Sequence, residues 1–214
     1  MDLVPPRLGA ALCLIVAATF ASACGTASGG EASGADLYRY CESCHQPDGR
    51  GDQLYGAPSI AGLPEWYVAS QLERFSNGLR GRHPDDVEGL RMRPMSFQLT
   101  TESQRRAVAQ YVASLPPVVN PPTLTDVDLS AGEQTYVMCI ACHGEKGEGN
   151  QEVGAPPIAG LDDWYVALQI RKFRSGIRGS APGDAIGPTM AAMSMAITPE
   201  AVDDVAAYVH SLPR

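Results

Sequence analysis

Apolar side chains recur at helical spacing in three stretches, and the set of three comes twice. In the first half, one stretch runs from about Asp36 towards Cys41. The next starts near Pro64, carries Trp66, Tyr67, Leu72 and Phe75, and stops near Gly78. The third opens at Thr100 and Thr101 with Glu102 following, and ends at Leu115 before Pro116. In the second half the same series starts at about Ser130. It resumes near Asp162 with Trp164, Tyr165, Ile170 and Phe173, breaks near Gly176, restarts at Thr198-Pro199-Glu200 and ends at Leu212 before Pro213. Hydroxyl and acidic residues at the starts, with glycine or proline at the ends, are the expected boundaries of helices. No convincing alternation of period two appears, so the expected class is all-α.

The two series are copies. Gly56-Ala-Pro-Ser-Ile-Ala-Gly62 returns as Gly154-Ala-Pro-Pro-Ile-Ala-Gly160, a shift of 98 positions. Gln71, Phe75, Gly78, Arg80 and Gly81 return at that shift, as do Met92 and Met95, which become Met190 and Met193. Beyond the methionines one residue is lost, since Tyr111 returns as Tyr208. That indel suggests a loop before the last helix. Between the copies, Pro116-Pro-Val-Val-Asn-Pro-Pro122 reads as an extended linker, because proline withholds a backbone donor and resists helix. The expected organisation is a domain over 36–115, a linker over 116–129 and a second domain over 130–214. Each copy, at about 80–90 residues, is small for a self-sufficient core.

The N-terminus changes the expected location. Leu8 to Ala23 is apolar, follows Arg7 and ends Ala21-Ser22-Ala23, which fits a secretory signal over 1–23. The stretch 24–35 reads as a flexible Gly/Ser/Ala-rich tether. Cys24 follows the cleavage-like site, as in a bacterial lipoprotein signal, although Ala21 stands where leucine is usual. Lipidation of Cys24 is therefore expected. A plain secreted start and an uncleaved anchor helix are the alternatives. All place the body in the periplasm or on the outer face of the cytoplasmic membrane.

Net charge is −8. The span 36–115 holds nine Arg against ten Asp and Glu, whereas 126–214 holds six Lys and Arg against twelve Asp and Glu. Such a gradient can orient a molecule on a charged partner, and it also keeps an exported protein soluble. Nothing in it suggests nucleic acid.

The chemistry lies in Cys41-x-x-Cys44-His45 and Cys139-x-x-Cys142-His143, the attachment signature for covalent haem. Cysteines three apart share a helical face and can add to the two vinyl groups of one haem. The adjacent histidine then meets the iron. Zinc binding would need further ligands that neither half offers, and a thiol-redox motif would not need the histidine twice. Two covalently bound haem c groups are expected, with His45 and His143 as proximal ligands. No cysteine remains in the body for a disulfide; the other two are Cys13 and Cys24.

The sixth ligand separates carrier from catalyst. Met92 with Met95, and Met190 with Met193, recur in register, and a thioether completes low-spin iron and raises its potential. One methionine of each pair is expected to fill space instead. His83 and His210 do not recur, and Met195 is matched by Phe97.

The body from Asp36 onward resembles the dihaem class I cytochromes c, and cytochrome c4 above all. The resemblance implies two tandem class I cytochrome c domains, each wrapped around one haem. It rests on the two haem signatures, Pro58 and Pro156, Tyr67 with Gln71-Leu72, Tyr165 with Gln169-Ile170, and the methionine segments. It implies Met92 and Met190 as axial ligands, with Met95 and Met193 as alternatives. It also implies that the carbonyls of Pro58 and Pro156 accept a hydrogen bond from the proximal histidines. Trp66, Tyr67, Trp164 and Tyr165 would line the haem or bind a propionate, or else pack within helices. Arg80 and Arg178 would offset propionate charge, unless solvated.

The expected function is single-electron transport between periplasmic or membrane redox partners. Candidate partners are a quinol-oxidising complex or a terminal oxidase, with no small-molecule substrate and no catalytic residue. A cytochrome subunit of a dehydrogenase, oxidase or quinol-oxidising complex is the alternative. A dihaem peroxidase or thiosulfate-oxidising enzyme would need an open coordination position, against which the doubled methionines argue.

Overall fold

A computed structural model describes residues 32–214, together with Met1. The expected signal segment, Cys13, Cys24 and the greater part of the expected tether lie outside the described residues. The first half comprises α1 (Gly34–Tyr38), α2 (Glu42–His45), α3 (Glu65–Ser76), α4 (Val87–Ser96) and α5 (Glu102–Ser114). The second repeats the series as α6 (Leu129–Tyr136), α7 (Ile140–His143), α8 (Asp163–Arg174), α9 (Gly187–Ser194) and α10 (Ala201–Ser211). Among the described residues there are two isolated β-bridges, Asp52 with Ala57 and Asn150 with Ala155, and no strand.

Local chemistry accounts for the boundaries. Thr101 opens α5 with a capping box: its hydroxyl accepts from the Gln104 amide at 3.2 Å, and Gln104 Oε1 accepts from the Thr101 amide at 3.3 Å. Asp128 opens α6, accepting from Ser130 and Ala131. Helix α3 follows Pro64, with Glu65 in its first turn and Arg74 in its last, both favourable to the helix dipole. It buries Val68, Leu72 and Phe75 on one face, and α8 buries Val166, Ile170 and Phe173 in the same register. Each such side chain stabilises the fold by about 1.5–3 kcal/mol.

In each domain the first helix crosses the last. A Cβ on Gly34 would lie 2.1 Å from the Ala107 carbonyl oxygen, and one on Gly132 would lie 2.2 Å from that of Asp204. Only glycine permits this approach. It brings Tyr38 against Tyr111, ring centroids 5.1 Å apart, and Tyr136 against Tyr208 at 5.4 Å. Gly34 therefore belongs to the packed body, and α1 starts two residues before the expected boundary at 36. Ser33, from the expected tether, caps it by accepting from the Asp36 amide at 3.2 Å.

A further difference concerns helices α4 and α9. The methionine segments, expected only as a stretch before the last helix, are themselves helices. Pro94 inside α4 and the absence of a conventional apolar stripe had hidden this. The proline-rich segment is pinned to both domains. Asn120 donates to the Arg50 carbonyl and to Asp162, both at 2.8 Å. Asp163 accepts from the Thr123 and Leu124 amides at 2.6 and 2.8 Å. The C-terminal Arg214 donates to the Val118 carbonyl at 3.0 Å and the Ala61 carbonyl at 2.7 Å.

Candidate functional site

Each haem signature forms one helical turn set by the preceding tyrosine. The Cys41 amide donates to the Tyr38 carbonyl at 2.7 Å, and the His45 amide to the Cys41 carbonyl at 2.9 Å. The Cys139 and His143 amides repeat both bonds at 2.7 and 2.9 Å. The chain then turns through the Asp52–Ala57 or Asn150–Ala155 bridge and presents a proline carbonyl to the histidine. His45 Nδ1 lies 2.9 Å from the Pro58 oxygen, and His143 Nδ1 lies 2.9 Å from the Pro156 oxygen. With Nδ1 donating there, Nε2 remains for a metal. Burial pushes both histidines below the usual imidazole range, against the opposing effect of the proline carbonyl. A neutral ring is the form that coordinates.

These rings line two cavities open to solvent, one per domain; the empty space in each, with the solvent at its mouth included, is about 1430 Å³ in the first and 1450 Å³ in the second. The first cavity is lined by Cys41, Cys44, His45 and Pro58, with Met92 and Met95 from α4. The second is lined by Cys139, Cys142, His143 and Pro156, with Met190 and Met193 from α9. Met92 packs against the core, whereas Met193 is 39 % exposed. Of the four histidines, His83 and His210 line neither cavity. His83 faces Asp85 near the surface, and His210 Nδ1 is engaged with the Leu161 carbonyl at 2.8 Å.

Rival chemistries of the motif find little support. Among the described residues no cluster of three or more His, Cys, Asp or Glu could share a metal ion, as zinc would require. Burial pushes the unattached Cys41 thiol up to about 12 and Cys139 up to about 11. Neither would be the thiolate that disulfide exchange needs.

The arginines give an independent test of fit. Arg80 and Arg178 each line the cavity of their own domain and stack over Phe75 and Phe173, 4.3 and 4.6 Å from the ring centroids. Both meet the same two glutamines. Arg80 donates to Gln71 at 2.7 Å and Gln169 at 3.5 Å; Arg178 donates to Gln169 at 2.8 Å and Gln71 at 3.3 Å. Burial and the like charge of Arg178 pull Arg80 below its usual pKa. Burial alone would raise Tyr165, but the two guanidinium charges outweigh it and hold its hydroxyl below the usual phenol range. The Nε of each arginine is buried with no partner in the protein. An orphaned charged donor of this kind is costly, so the cavity calls for an anion at each arginine. The propionates of a haem supply such groups, and the apolar walls suit its macrocycle.

The aromatic residues divide. Tyr67 and Tyr165 line both cavities, as do Gln71, Gln169 and Leu161. Trp66 lines the cavity of the second domain, across the boundary from its own signature. Trp164 lines neither: its ring packs edge-on against Tyr165 at 5.8 Å, a helix-packing role. Sequence reasoning missed Arg74, Asp86, Glu88, Lys172 and Asp184, all of which line a cavity or hold a lining helix in place. Asp86 and Asp184 are 98 apart, as are Arg74 and Lys172, so the register of the repeat carried the signal.

The cytochrome c family profile matches residues 31–116 and 129–213. The chain is 31 % identical over 170 residues to the thiosulfate dehydrogenase electron acceptor of Stutzerimonas stutzeri (strain A1501), covering 72 % of each chain. It is 27 % identical over 199 residues to cytochrome c4 of Azotobacter vinelandii, covering 87 % of this chain and 90 % of that one. The crystal structure of reduced recombinant cytochrome c4 from Pseudomonas stutzeri superposes with a TM-score of 0.69 at 25 % identity, over 84 % of this chain and 97 % of that one.

Proposed function

Since the chain belongs to the cytochrome c family, whose domains bind haem c covalently, we propose that it carries single electrons between redox proteins outside the cytoplasm through two His/Met-ligated haems. The bound haem iron supplies the chemistry, cycling between its ferric and ferrous states. The rest is the work of the chain. His45 and His143 bind from one wall, oriented by the Pro58 and Pro156 carbonyls. Met92 and Met190, on α4 and α9, would supply the second ligand, with Met95 and Met193 as alternatives. A thioether in that position favours the reduced state. Arg80 and Arg178 hold the propionates, and Tyr67, Gln71, Tyr165 and Gln169 form a shared wall between the two sites.

One observation carries this reading: in both domains the single cavity that receives the histidine also receives the paired methionines, and no second histidine. A methionine pair in reach of each proximal histidine supports two irons closed to substrate. Mixing the ferric holoprotein with cyanide tests it. Two closed haems react slowly, whereas rapid binding at either would make that haem a catalytic centre.

A second reading concerns the electron donor. The likeness to a thiosulfate dehydrogenase electron acceptor favours a dehydrogenase as the immediate electron donor; an oxidase then lies downstream, and a quinol-oxidising complex would be a rival donor. Purification from native membranes with the bound subunits identified distinguishes a free carrier from a subunit. The same preparation tests lipidation of Cys24 by the mass of the N-terminal peptide. Among the described residues no helix is long and apolar enough to cross a membrane.

A further inference from the structure

Ion pairs of two basic and three acidic residues join the two domains crosswise. Lys172 on α8 of the second domain donates to Asp86 of the first at 2.6 Å and also reaches Glu88; Lys172 and Asp86 are each 6 % exposed. In the opposite sense, Arg74 on α3 of the first domain pairs with Asp184 of the second, whose side chain is fully buried. The arrangement obeys the register of the repeat, since Arg74 answers to Lys172 and Asp86 to Asp184.

What the aspartates do in their own domains gives the pairs a purpose. Asp86 is the N-cap of α4, accepting from the Gly89 amide at 3.2 Å, and it also accepts from the Gly81 amide at 3.2 Å. Asp184 accepts from the Ile186 and Gly187 amides at 3.0 and 2.7 Å, at the start of α9. Each aspartate therefore fixes the first turn of the helix that carries its domain's methionines, six residues before Met92 or Met190. Neither methionine helix has the apolar stripe that would fix its rotation by packing alone. This cap helps set its orientation, and the cap is gripped by a cation from the neighbouring domain.

We infer that Lys172 and Arg74 are positioning residues acting crosswise: each holds the axial methionine segment of the other domain's haem. The inference rests on the His/Met reading above. Docking of the domains thereby becomes part of the coordination at each iron. The two halves are unequal. Glu88 adds a second acid around Lys172, whereas its counterpart Ile186 is apolar, so the first haem's clamp carries more charge than the second's.

The test uses the reduced holoprotein and its proton NMR spectrum. A methionine that ligates haem iron would give its own strongly upfield methyl signal, assigned through contacts to residues of its own domain. In Lys172→Met the signal of the first haem should move or be lost while that of the second stays in place. Arg74→Met should do the reverse. Lys172→Arg and Arg74→Lys should restore the parent spectrum, because each copy already uses the other's cation. If Lys172→Met does not accumulate as holoprotein, Lys172→Gln takes its place. A change confined to the variant's own domain, an equal change at both haems, or no change would overturn the inference. Two ligand-methyl signals in the parent uphold the His/Met reading however the variants behave. Their absence would overturn both.

Discussion

Arg178 reaches across the domain boundary to Gln71, with Nη2 3.3 Å from the amide oxygen. It holds Gln169 of its own domain at 2.8 Å by Nη1. With the mirror-image bonds of Arg80, each glutamine oxygen serves two guanidinium groups. Gln71→Leu or Gln169→Leu removes an acceptor that buried charged donors cannot replace with water. Either variant should cost about 1–3 kcal/mol of stability. The double variant should fall short of the sum, because the two acceptors share donors. Denaturant unfolding of the holoproteins measures both effects.

The residue after each proximal histidine gives a cleaner comparison. Gln46 has φ +65° and ψ 159°, and its counterpart Gly144 has φ +81° and ψ 163°. That backbone region is strained by about 1–3 kcal/mol for any residue with a Cβ. Gln46→Gly should therefore stabilise the first domain by about 1 kcal/mol, after the entropy that glycine loses on folding. Gly144→Gln should destabilise the second by about 1–3 kcal/mol through the backbone strain at φ +81°, the Glu148 carboxyl that its Cβ would meet being free to swing aside. Denaturation midpoints of the two variants should move in opposite directions.

The charged contacts between domains predict a response to acid. Burial alone would raise Asp86, Glu88 and Asp184, but Lys172, the Gly187 amide and Arg74 outweigh it and hold all three below the usual carboxylate range. A carboxylate with a depressed pKa contributes stability above its unfolded value, about 4. That contribution is lost as pH falls through the folded value. The holoprotein should hold its stability from neutral pH to about 5 and lose it steeply below about 4. Lys172→Met should be less stable at neutral pH, with a shallower acid limb. Unfolding free energy measured between those limits tests the sign.

Much of this was legible in the sequence, because haem attachment needs particular residues at particular spacings. Cys41 to His45, Cys139 to His143, and the helices ending near Gly78 and Gly176 needed only motif and periodicity. The role of the proline carbonyls came only from the resemblance to the dihaem class I cytochromes c. Helices α4 and α9 did not, since their methionines line a cavity while Val87 and Leu90 are exposed, so neither shows a buried apolar stripe, and Pro94 reads as a helix breaker. The crossed ion pairs were hidden for another reason. Arg74 and Lys172 look like ordinary cations in the last turn of a helix, and only the packing of two domains turns them inward. Trp66 and Trp164 occupy equivalent positions in the copies, yet only Trp66 lines a cavity. Repetition in sequence does not secure repetition in environment once two copies pack against each other.

The central claim is that both irons are ligated by a histidine and a methionine. The near-infrared spectrum of the ferric holoprotein measures this most directly, since methionine–iron ligation gives a weak charge-transfer band there. Both haems should contribute, Met92→Ala should remove one contribution and Met190→Ala the other. Loss in Met95→Ala or Met193→Ala instead would move the ligand three residues along its helix. A parent protein in which either haem lacks the band, or is high-spin, would contradict the account.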